Sequence, residues 1–319
     1  MSKAAKIAIG TTLFAALVLT RWGLAPKYLF YIDNINFALA VQQFQPAWHQ
    51  PHPPGDPLFV VLLKAIHLLF TDMKYVELMA GTIGSCIALL TIYLLGNEVF
   101  ERLAGTFAVA ILFFLPAFWL AGIANPVRTF IAAGSGWLAL CVWRAIQSPQ
   151  TLARFALAGF SLGLAAGFRP ELLVLLFPLL CLPFLLAPRK PPAALTALSV
   201  LTLTSASWFA VLVWKIGGPA ELLHLFQMQW QSSAAHTAIW AAVAQPSARD
   251  TPILTTYWVG VGTLCWIGAL PALAYLSRRM PGVTWYRDRR TAFLAVWFPP
   301  PYLFHALIFI HDPDTALIA

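Results

Sequence analysis

Apolar residues run along this chain in long unbroken blocks, without the three-and-four spacing of a helix that hides one face and shows the other to water. Segments 104–123 and 172–186 are apolar all round, so helices built from them suit a hydrocarbon solvent. Blocks of this kind at 5–22, 76–96, 104–123, 129–146, 153–169, 171–187, 193–214, 254–277 and 291–310 predict about nine membrane-spanning helices, punctuated by Pro, Gly and charged residues. A further stretch, 58–70, is too short to cross and is interrupted by Lys64 and His67. It predicts a helix lying at the interface or re-entering from it. The expected fold class is therefore all-α, a polytopic transmembrane helical bundle forming a single domain over residues 1–319.

Composition agrees: 60% of residues are apolar and only 10% charged, outside the range of ordinary soluble domains. The net charge of +8 raises a nucleic-acid partner, but the basic residues sit at segment ends and form no stripe, so none is expected. The bilayer explains their placement better. With 58–70 excluded as a span, the side of the N-terminus carries Lys3, Lys6, Arg102, Arg144, Arg154, Arg189, Lys190, Arg278, Arg279, Arg287, Arg289 and Arg290. The other side keeps Arg21, Lys27, Lys64, Lys74, Arg128, Arg169, Lys215 and Arg249, which is 12 against 8. The positive-inside rule then puts the N-terminus on the cytoplasmic side of the membrane. It also makes residues 21–75 and about 215–252 external loops. Lys3 and Lys6 before the apolar stretch 7–20 resemble a signal peptide, but Ala25-Pro26 is a poor cleavage context. An uncleaved anchor is expected. Cys86, Cys141, Cys181 and Cys265 lie in apolar segments as small hydrophobes, with no disulfide or metal spacing. Gly159, Gly163 and Gly167 recur every fourth residue and predict close approach of a neighbouring helix.

In so apolar a chain each polar side chain must be solvated, paired or functional. Those expected outside are Asp33, His49, His52, Asp56, Arg128, Arg169, Glu171, His311, Asp312 and Asp314. Asp33 sits where Ile32, Ile35, Leu39 and Phe44 could face one way along a short interfacial helix; an N-capping role and a chemical one are both open. His52-Pro-Pro-Gly-Asp56-Pro57 is stiffened by its prolines, with Gly55 allowing a sharp turn and Pro57 suited to the first position of a helix. Arg169 and Glu171 flank Pro170 and read either as a local ion pair or as an anion site, and Arg128 after Asn125-Pro126 reads the same two ways. His311-Asp312-Pro313-Asp314 is either a solvated loop or a metal site. The available His and carboxylate groups form no recognisable metal-ligand spacing, so a divalent cation is left open as a cofactor. No Gly-x-Gly-x-x-Gly, P-loop, His-Glu-x-x-His or nucleophile-elbow motif occurs in a sensible context.

A first span, an external loop with an acidic residue just past it, a Pro-Pro-Gly-x-Pro turn, a short helix and then many spans resemble the GT-C superfamily of membrane glycosyltransferases. That superfamily includes protein O-mannosyltransferases and aminoarabinose transferases. The string His49-Gln-Pro-His52-Pro-Pro-Gly55 is similar to a bacterial branch of it. The resemblance implies a cell-envelope transferase that takes a sugar from a polyprenyl-phosphate donor and moves it, with inversion, to a hydroxyl of a lipid, glycan or protein acceptor on the extracytoplasmic face. It implies Asp33 as the base or as the group that orients the acceptor, with Arg128 or Arg169 offsetting phosphate charge and His52, Asp56, Glu171, His311 and Asp312 contributing to substrate binding. Two departures stand out. Asp33 is followed by Asn34 where the family often has a second acid, and the chain stops at Ala319 just as another apolar segment begins, which reads as a truncated C-terminus. The rival readings are a transporter or lipid flippase, whose ionisable groups belong near the bilayer midplane in related halves, and a non-catalytic truncated membrane protein.

Overall fold

Prolines and glycines decide where the apolar blocks become separate helices. The computed structural model describes residues 3–29, 31–53, 55–186, 190–237 and 289–307. Among these the elements are helical: α1 (Lys3–Gly23), α2 (Ile32–Gln42), a 3₁₀ turn at Pro46–Trp48, α3 (Pro57–His67), α4 (Met73–Val99), α5 (Arg102–Phe114), α6 (Pro116–Ala124), α7 (Val127–Gln147), α8 (Leu152–Phe168), α9 (Glu171–Leu186), α10 (Lys190–Ile216), α11 (Pro219–Thr237), α12 (Arg289–Trp297) and α13 (Pro299–Leu307). The expected interfacial helices are present as α2 and α3, and the expected blocks at 76–96, 129–146 and 193–214 are the hearts of α4, α7 and α10.

Helices α4, α7 and α10 are each long and apolar enough to cross a bilayer. The expected span 104–123 is instead a broken pair: α5 and α6 meet at Leu115 with a bend of 57°. Pro116 is the cause, because it supplies no N–H and clashes with a continuing helix behind it, while suiting the first position of a new one. Pro299 likewise divides the expected span 291–310 into α12 and α13. The 215–252 segment, expected as a non-spanning external loop, starts with a helix: Gly217 and Gly218 turn the chain at φ 107° and 136° and Pro219 opens α11. The predicted span 254–277, the basic cluster from Arg278 to Arg287, Arg189, His311, Asp312 and Asp314 lie outside the described residues.

The main core joins α4, α7, α8, α9 and α10 through residues such as Leu95, Leu138, Phe155, Leu162 and Leu176. At one end Arg144 of α7 grips Glu98 of α4 at 2.6 Å. The glycine face of α8 receives α10, and the Trp208 indole N–H donates to the Gly163 carbonyl at 2.9 Å. This close approach is the one the four-residue spacing predicts.

A second apolar cluster seats α2 and α3 on α4 and α7, using Phe37, Val41, Phe59, Leu63, Val76 and Phe130. The buried face of α2 is Asn34, Phe37, Ala40 and Val41. Ile32, Ile35 and Leu39 do share a face, but it points outward, at 74%, 46% and 39% exposure. An interfacial helix with lipid above and protein below has apolar residues on both sides.

Candidate active site

The loop that enters α3 is built to aim a carboxylate. Gly55 adopts φ 113°, and a Cβ there would come within 2.8 Å of the Pro46 ring, so both the backbone and the space require glycine. Asp56 follows at φ 38°, a left-handed conformation that Asp tolerates better than most residues. It holds the N-cap position of α3, yet its side chain makes no capping bond. Pro57 at the first helical position leaves one fewer N–H to satisfy, and the carboxylate turns instead to Arg169, 3.7 Å away.

Arg169 caps the C-terminal end of α8, with its N–H on the Ala165 carbonyl. Its Nε and Nη2 both donate to Glu171 Oε1 at 2.6 Å. The local ion pair expected from the sequence is therefore present, and Asp56 extends it into a triad. Burial works against the Arg169 charge, but Glu171, Asp56 and Asp33 outweigh it and hold the guanidinium above its ordinary value.

Asp33 lies in the first turn of α2, but Tyr31 occupies the cap position and no side chain caps that helix. The capping role therefore does not account for Asp33. Its carboxylate lines a small cavity together with Phe37, Pro51, His52, Asp56 and Arg169. The cavity measures about 10 Å³, close to the least that admits one water. His52 Nδ1 is buried there with no hydrogen-bond partner. Burial pushes the His52 imidazole below its ordinary value, with Asp33 opposing the shift.

An aromatic chain fixes these groups relative to one another. Phe37, one turn after Asp33, packs edge-on against Phe59 at 4.8 Å; Phe59, three residues after Asp56, meets Phe130 at 5.6 Å; and Phe130 stacks on Phe168 at 4.7 Å, next to Arg169. Rings are stiff and their contacts directional, so α2, α3 and the end of α8 are held as one frame.

Burial pushes the Asp56 carboxyl up to about 7, with Arg169 opposing. Because the folded value lies above the unfolded one, the stability Asp56 contributes is complete in acid and is lost as pH rises through about 7. The Asp56→Asn variant should show a smaller fall in melting temperature between pH 5 and pH 8 than the parent. An unchanged fall would mean that Asp56 titrates as an ordinary exposed acid.

The other sequence candidates fall elsewhere. Arg128 is buried at the start of α7 and does not line the cavity. His49 is exposed and closes the 3₁₀ turn, its N–H on the Pro46 carbonyl at 3.0 Å. Glu171 reaches the site through Arg169. Sequence reading overlooked Glu77, 97% buried in α4, whose carboxyl faces Asn34 and Asp33. A lone carboxylate early in an apolar block was the available signal. No three His, Cys, Asp or Glu side chains among the described residues form a group that could hold a metal.

The helical bundle with short helices packed over this cavity has the fold of the GT-C glycosyltransferases. The chain belongs to the dolichyl-phosphate-mannose-protein mannosyltransferase family, whose pattern matches residues 51–214. Its fold is that of ArnT from Cupriavidus metallidurans. Against the apo structure of that protein the TM-score is 0.69 at 14% identity, covering 99% of this chain and 58% of the other. Against its structure bound to undecaprenyl phosphate the TM-score is 0.67 at 14% identity, covering 98% and 56%. The chain thus spans a little over half the length of these solved structures. No curated protein matches the sequence.

Proposed function

We propose that this protein transfers a sugar from a polyprenyl-phosphate donor to an acceptor hydroxyl on the extracytoplasmic face of the membrane, with inversion at the anomeric carbon. The observation that carries the reading is the convergence of Asp33, His52, Asp56 and Arg169 on one cavity beneath the interfacial helices. Family membership and the undecaprenyl phosphate held by ArnT support the donor class.

A phosphate is a good leaving group and needs little protonation, so the demand on the protein is a base for the acceptor and a cation for the developing charge. In this reading the acceptor oxygen attacks the anomeric carbon as Asp33 takes its proton. The bond from that carbon to the phosphate oxygen breaks, and the electron pair leaves with the polyprenyl phosphate. Arg169 offsets the phosphate charge, and the unpartnered His52 Nδ1 contacts donor or acceptor. Glu171 and Asp56 hold the guanidinium in place. The space of about 10 Å³ between these side chains is smaller than a sugar.

The test is reconstitution of the chain in bilayers with a polyprenyl-phosphate sugar and a panel of hydroxyl acceptors, following release of polyprenyl phosphate and the anomeric configuration of the product. Release without a glycosylated product, or product with retained configuration, would refute the mechanism. Orientation is tested separately. With the N-terminus cytoplasmic, a cysteine placed at position 190 reacts with an impermeant reagent only from the cytoplasmic side, and labelling from outside would invert the topology.

A further inference from the structure

A second cavity lies on the far side of α3, between it and α10, and measures about 220 Å³. Most of its lining is apolar, Leu58, Val61, Trp208 and Val211 included, and Lys64 and Lys215 line it as well. It shares no lining residue with the Asp33 cavity. Val61 and Val211 are 61% and 46% exposed, so the groove is open at the protein surface along α3 and α10.

The two lysines give this groove a sign. Both are exposed, and no carboxylate pairs with either among the described residues. Lys215 instead rests over the Trp214 ring at 4.6 Å, at the end of α10. Tryptophan and lysine at a helix end mark the level where acyl chains give way to headgroups. Two uncompensated cations lining a largely apolar groove complement a molecule with an anionic head and a hydrocarbon tail.

The geometry points to a binding site for an anionic glycerophospholipid, its headgroup phosphate between Lys64 and Lys215 and an acyl chain along Leu58, Val61, Trp208 and Val211. A bilayer phospholipid fits better than a soluble anion because most of the lining is apolar and open to the membrane. It is also the most concentrated amphiphile at that place, so mass action favours it. The site has a structural consequence. Pro57 and Leu58 line the groove while Asp56 lines the other cavity, so a bound lipid braces the first turn of α3 against α10 behind the Asp56–Arg169 pair.

The experiment uses the full chain in a neutral detergent, titrated with dioleoylphosphatidylglycerol, with bound lipid counted by native mass spectrometry. One molecule should be retained in preference to dioleoylphosphatidylcholine. A juxtamembrane lysine strengthens the attraction of an anionic lipid about fivefold, so Lys64→Gln and Lys215→Gln should each weaken retention by about that factor, and the double variant by about twenty-five-fold. Val211→Trp keeps both charges but fills the channel, and should also lose the lipid; its elution and melting temperature verify that it is folded. Equal retention of both lipids, or full retention by the double variant or by Val211→Trp, would overturn the assignment. So would displacement of the lipid by millimolar inorganic phosphate, which would show a soluble-anion site, or preferential retention of undecaprenyl phosphate through the same lysines, which would give the groove to the sugar carrier. Since the readout is binding, its outcome is independent of whether the chain transfers sugar.

Discussion

Asp33→Asn should lower sugar transfer by about 10²–10⁴-fold, the range typical of losing a general base, while the protein elutes and melts as the parent does. The amide is nearly the same size as the carboxyl, so it can line the same cavity. It cannot take a proton from the acceptor. The substitution should cost little stability, because Asp33 makes no capping bond on α2 and the buried face of that helix is carried by Asn34, Phe37, Ala40 and Val41. The loss should appear in kcat more than in KM, since the proton moves only in the transition state. The control is Lys74→Gln, outside the cavity, which should leave turnover within about twofold of the parent, as surface changes commonly do. Turnover by Asp33→Asn equal to that of the control would remove Asp33 as the base.

The largest effect on folding is expected at Gly159. A Cβ at this position would run into the Ala197 carbonyl of α10, which is backbone and cannot rotate away. Gly159→Ala must push α8 and α10 apart or distort one of them, at a cost of about 1–3 kcal/mol by the usual range for overpacked sites. Separation would also loosen the Trp208 hydrogen bond to Gly163 and the packing of Leu58 against Gly167. Because Arg169 ends α8 and Asp56 begins α3, such a shift would misplace the ion pair between them. The measurement is thermal unfolding in detergent, with Gly23→Ala as reference: a Cβ at Gly23 meets nothing within 4 Å. If the two variants melt together, the α8–α10 contact is not the tight one described.

Much of the architecture was legible because hydrocarbon solvent imposes a simple code. A backbone in lipid must satisfy its own hydrogen bonds, so a long apolar block has few conformations other than a helix. The blocks at α4, α7 and α10 and the short helices α2 and α3 were found this way. Breaks at Leu115 and Phe298 were missed although Pro116 and Pro299 were in view. Proline in an apolar block either kinks a helix or ends it, and the choice depends on neighbouring helices. Pro178 and Pro183 lie inside α9 without ending it.

The candidate site was legible in part, and unevenly. Asp33, His52, Asp56 and Arg169 were all named from residue type and position near helix ends, yet nothing in the sequence separates them from Arg128 or His49. Those two are equally polar and equally placed, and lie outside the cavity. Glu77 escaped because it is within a spanning block, and Asn34 and Asp33 come near it only once α2 folds back onto the bundle. The groove between α3 and α10 joins residues 44–64 to residues 207–215, and no local pattern relates them.

The sequence by itself determined a helical membrane protein, the rough place of each apolar helix, the glycine face of α8 and a family motif in the first loop. These follow from local spacing and from the cost of placing polar groups in hydrocarbon. Only the tertiary structure decided that Asp56 turns from its helix to Arg169, that an aromatic chain from Phe37 to Phe168 locks the acid and the arginine into one frame, and that two lysines share a groove. Each of these depends on side chains distant in sequence meeting at a few ångströms, and contacts of that kind are chosen by packing.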